Sequence, residues 1–127
     1  MEFAVIAPIF LLLVAGIMEF GQAFRIQHTL STAARYGARS SSLAGATTSA
    51  VTLDVRNQCV RNLNVISTDV TVQITVNGTV NGDLSLASTG HEIIIAVSIP
   101  YSKAGAGFFS NTFATSVIRS SCTFEKE

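Results

Sequence analysis

Sixteen consecutive residues, Phe3 to Met18, carry no charge, and with only Glu19 and Gln22 as polar interruptions the apolar run extends to Phe24. As an α-helix the sixteen span about 24 Å and the stretch to Phe24 about 33 Å, enough to cross a hydrocarbon core of about 30 Å. A chain of 127 residues cannot wrap a helix of this kind in a core of its own. The segment needs lipid, or copies of itself. Beyond Phe24 the pattern continues: Phe20, Phe24, Leu30, Ala34, Gly37 and Ala38 keep one apolar or small stripe, while Arg25, His28, Arg35 and Arg39 take polar positions. One helix from about residue 2 to about residue 43, about 63 Å long, is predicted. Pro8 frees the carbonyl four residues back and predicts a kink near the start. Gly16 and Gly21 permit close helix packing.

What remains is too short for more than one folded domain. Eight Lys and Arg balance eight Asp and Glu, and only 13% of residues are charged, which excludes an electrostatic nucleic-acid binder and a disordered tail. Ser40 to Ser49, with Gly45, reads as a turn or linker. Val51, Val55, Cys59 and Leu63 recur every four residues and predict a second helix from about Thr48 to Leu63. The period then drops to two. Val70, Val72, Ile74 and Val76 alternate with Thr71, Gln73 and Thr75, and Ile93, Ile95, Val97 and Ile99 mark a second strand from His91, ended by Pro100. Asn77-Gly78 and Asn81-Gly82 between them are turn pairs. A third, less regular strand is expected from Thr112 to Phe124; if Cys122 faces inward, so do Ile118 and Phe124. The expected fold is α+β: a long hydrophobic helix and a short one packed on a small antiparallel sheet of about three strands. Residues 1–24 form the membrane or filament-core half of the long helix, 25–46 its amphipathic continuation and linker, and 47–127 the head.

No catalytic or metal-ligating set is apparent, and no cofactor is implied. His28 and His91 lack Cys, Asp or Glu at ligand spacing, and there is no nucleophile elbow, phosphate loop or Cys-x-x-Cys. Asn77-Gly78-Thr79 matches a glycosylation sequon but is first a turn. Phe3, Phe10, Phe20, Phe24 and Tyr36 read as packing rather than as a conducting stack. Cys59 and Cys122 are a well-separated pair in a small head. A disulfide between them would contribute about 4 kcal/mol; the alternative is two buried thiols. The informative charges are Glu2 and Glu19, because an acidic group in an apolar helix costs roughly 2.5 to 3.5 kcal/mol on insertion scales. Glu19, near Gln22 and Arg25, suits an interfacial anchor and an intersubunit pair equally well.

Orientation contains a conflict. Arg25, Arg35 and Arg39 follow the apolar block and no basic residue precedes it, so the positive-inside rule puts the head in the cytoplasm, whereas a disulfide belongs to an oxidising compartment. A basic leader removed from in front of Met1 reconciles the two. The run Glu2-Phe3-Ala4, Pro8, Leu11-Leu12-Leu13, Gly16-Ile17-Met18-Glu19-Phe20-Gly21 and Ala33-Ala34-Arg35-Tyr36-Gly37-Ala38-Arg39 resembles the amino-terminal half of TadE-like pilins and pseudopilins. The resemblance covers about the first forty residues. It implies a prepilin peptidase that cuts a basic leader, an inner-membrane stage, and assembly through the helix into an extracellular filament of identical subunits. It also implies that Glu2 pairs with the terminal amine, at Met1, of an adjacent subunit and sets register. The departure is the glutamate's place, usually the fifth mature position and here the second. The leading expectation is a structural pilin of a type IV pilus-like filament. The alternatives are a membrane-retained minor pseudopilin of a Tad-type system and an anchored adhesin or binding head.

Overall fold

The computed structural model describes residues 2–105, 107, 111–112 and 115–127, without the side chain of Glu2. Its spine is α1 (Glu2–Ser41), one helix of 40 residues that runs unbroken through Pro8. Only its second half is built for a core. Ile26, Leu30, Ala33, Ala34, Gly37, Ala38 and Ser41 fall at helical spacing on one face and are buried there. Small residues dominate that face, so the helix lies close on its neighbours. A Cβ added at Gly37 would stand 2.5 Å from Val55 Cγ2 and 3.2 Å from Ile95 Cδ1, at the point where two helices and the sheet meet.

Helix α2 (Thr48–Leu63) has the limits that the four-residue spacing predicts. Thr47 caps its start by accepting from the Ala50 amide, and Asn64 ends it in the left-handed region, donating its amide to the Val60 carbonyl. Val51, Val55, Cys59 and Leu63 are its buried stripe.

The sheet is antiparallel, with strands β1 (Thr71–Val76), β2 (Thr79–Val80), β3 (Glu92–Pro100) and β4 (Val117–Glu125) in the order β2-β1-β3-β4. It has four strands rather than about three. The addition is β2, which the sequence hides because only two residues separate its turns. Asn77 (φ 46°) and Gly78 (φ 80°) supply the two positive φ angles of a two-residue hairpin loop and pair Val76 with Thr79. The last strand begins at Val117, not Thr112, which lies in a turn. Ile118, Cys122 and Phe124 do pack inward against the core. A short helix α3 (Tyr101–Ala104) follows Pro100 directly.

The two helices cover different parts of the sheet: α1 overlies β3 and β4, while α2 packs on α1 and β1. This division corrects the expected disulfide. Cys59 and Cys122 are free thiols. Cys59 sits in the α2 stripe on the β1 side, and Cys122 is on β4, two strand spacings or about 10 Å from β1. A disulfide needs Cα atoms within about 4.4 to 6.8 Å. Burial pushes the Cys59 thiol up to about 11.

Candidate functional site

The first half of α1 is bare on every side. Phe3, Val5, Ile6, Ile9, Phe10, Leu11, Leu12, Leu13, Ile17, Met18 and Phe20 are all more than half exposed, Phe3 by 82%. Only 6% of the most apolar eighteen-residue window is buried, and the helix is long and apolar enough to cross a membrane. The chain exposes 8096 Å² in all. A compact monomer of this mass would expose about 6,500 Å². The excess of about 1,600 Å² is comparable to what a standard protein interface removes from water. Among the described residues nothing lies within 4 Å of a would-be Cβ at Gly16 or Gly21, which leaves room there for close packing.

One residue in that bare stretch is covered. Glu19 is 8% exposed between Met18 at 62% and Phe20 at 69%. Its partner is Tyr101, whose hydroxyl donates to Glu19 Oε1 at 2.5 Å across 82 positions of sequence. Tyr101 is delivered there by the end of β3. Pro100 turns the chain into α3, the Tyr101 amide donates to the Ser116 carbonyl at 2.8 Å, and the Gly105 amide donates to the Tyr101 carbonyl at 2.7 Å. Gly107 lies over the carboxyl group so closely that a Cβ there would fall on its atoms. Burial, and then the hydrogen bond and charge of Glu19, push the Tyr101 phenol up to about 12. The pair walls a cleft of about 550 Å³ between α1 and the start of β4.

The other residues singled out in the sequence do not join this latch. Arg25 turns away from Glu19 and donates to the Asn62 carbonyl at 3.4 Å, tying α1 to the end of α2. Pro8 is exposed, and Met1 and the Glu2 side chain lie outside the described residues. His91 Nδ1 accepts the Ser88 amide at 3.3 Å. Among the described residues no group of three His, Cys, Asp or Glu could hold a metal ion. Nothing in the local sequence pairs Tyr101 with Glu19. The signal pointing toward it was Glu19 itself, since a carboxyl in an apolar helix must find a donor.

The long apolar helix is thus half free and half rooted in a small α+β head. Residues 1–39 match the family model described as TadE-like protein, so the recognised segment and the long helix coincide. No curated protein and no solved structure matches the chain.

Proposed function

We propose that this protein is a structural subunit of a Tad-type pilus system, polymerising through the free half of α1 into an extracellular filament. The observation that carries the reading is the change along one helix, from large apolar residues exposed all round at Phe3–Met18 to core-forming at Ile26–Ser41. A helix exposed all round needs partners all round. Many identical copies in helical array supply them. Before assembly the same residues sit in the inner membrane, with a prepilin peptidase and the assembly machinery as further partners. No enzymatic activity is assigned. The TadE-like match over residues 1–39 equally favours a second reading, a pseudopilin that stays in the membrane and primes another filament.

Glu2 separates assembly from anchoring. If its carboxylate faces the amine of a neighbour in a dry core, removing it leaves a buried charge unpaired, a loss of about 3 to 5 kcal/mol at each addition. Glu2→Gln should then abolish filaments while the subunit persists in the membrane. The measurement is a filament count by electron microscopy of sheared material, with a membrane-fraction blot. Normal filaments at normal subunit levels would remove Glu2 from register setting. Sheared filaments that lack the chain altogether would favour the membrane-retained reading.

A further inference from the structure

The sheet ends in an open strand. Among the described residues β4 pairs with β3 alone, and its nine residues contain neither Pro nor Lys to blunt the edge. The direction of its backbone groups follows from the register. Tyr101 donates to Ser116 and Lys126 donates to His91, so the even-numbered residues of β4 bond to β3. The amides and carbonyls of Val117, Arg119, Ser121, Thr123 and Glu125 therefore point off the edge. Gln27 Nε2 reaches one of them, the Arg119 carbonyl, at 3.3 Å, which leaves its second lone pair open.

We propose that this edge is a homotypic docking strand, in which β4 pairs antiparallel with β4 of a second copy about a two-fold axis at Cys122. Three features select the register. It sets Arg119 opposite Glu125 of the copy, twice by symmetry, on the solvent face. It sets Ser121 opposite Thr123, so the hydrogen-bonding residues of both edges meet in phase. It also places Cys122 against its own copy as a non-hydrogen-bonded pair, with Cα atoms about 4.5 Å apart, within disulfide range. Sliding one strand by two residues sets Arg119 opposite Thr123, or opposite Glu127 past the end of the strand, and in either case moves Cys122 off its own copy. The helices are accommodated as well. α1 overlies β3 and β4, so the two copies of α1 lie about two strand spacings or 10 Å apart, a packing distance for helices. The two-fold axis points them in opposite directions. The contact therefore joins heads whose apolar halves leave on opposite sides, and it is separate from any bundling of parallel helices.

The test is oxidation of the full-length protein in detergent by copper phenanthroline, read on a non-reducing gel. The two thiols of a facing pair give up two protons and two electrons to dioxygen as the disulfide forms. A reducible dimer is expected. It should vanish in Cys122→Ser, form about tenfold more slowly in Arg119→Glu, where like charges face each other, and recover in Arg119→Glu/Glu125→Arg. Three results would overturn the proposal: no dimer from the wild type, a dimer that persists in Cys122→Ser and so runs through Cys59, or a rate indifferent to Arg119→Glu. Arg119 is an exposed residue, so its substitution leaves the fold in place.

Discussion

The two halves of α1 share a backbone but differ in what their side chains meet. In Phe3–Phe20 large residues point in all directions, and a Cβ added at Gly16, or just beyond at Gly21, would meet none of the described residues within 4 Å. In Ile26–Ser41 one face is buried, and Gly37 is hemmed in by Val55 and Ile95. A residue type therefore has no fixed meaning along this helix. A leucine or glycine in the second half is a statement about the head; in the first half it is a statement about something outside the chain.

The sharpest contrast is between Leu30, fully buried, and Leu12, 63% exposed. Leu30→Ala should lower the stability of the detergent-solubilised monomer by about 2 to 5 kcal/mol, and Leu12→Ala should leave it unchanged. Urea unfolding followed by circular dichroism reads both, and equal losses would break the division. Next comes the latch at the boundary. Tyr101→Phe leaves the Glu19 carboxyl buried without this donor and should cost about 1 to 3 kcal/mol. Because folding raises the phenol's pKa to about 12, the latch contributes fully below the ordinary tyrosine value near 10, and that contribution is lost as pH climbs through about 12. Ultraviolet titration of the phenolate should follow this course, and Glu19→Gln should bring the midpoint partway down, since burial is the larger cause. The smallest expected effect reverses sign between halves. Gly16→Ala should stabilise the monomer by up to about 1 kcal/mol through helix propensity, whereas at Gly37 the same gain is offset by overpacking of about 1 to 3 kcal/mol. Thermal melts of the two variants would decide it.

Periodicity made much of this legible. Four-residue spacing from Val51 to Leu63 gave α2 its limits, and alternation gave β1 and β3 their buried faces. Local pattern failed where structure depends on remote partners. Thr112 to Ser116 look no different from strand residues until pairing with Pro100 and Ile99 fixes where β4 begins. Two residues between turns carry no detectable period, so β2 stayed hidden. Cysteine count and separation say nothing about which elements carry the sulfurs, and here one is on α2, which packs on α1 and β1, and the other on β4 at the far edge of the sheet. Glu19 was visible as an anomaly, but Gln22 and Arg25, its neighbours in sequence, drew attention from a tyrosine 82 positions away.

The unbroken course of α1 has a mechanical consequence. Ile26, Leu30, Ala33 and Ala34 are part of the head's own core, so the head has no flexible stalk on which to swivel. A force applied to the head passes into the helix as shear along its contact with β3, β4 and α2, and the contact must fail over its whole length before the two can part. Traction on the free half cannot extract the helix without unfolding the domain it supports, so slippage and denaturation are the same event.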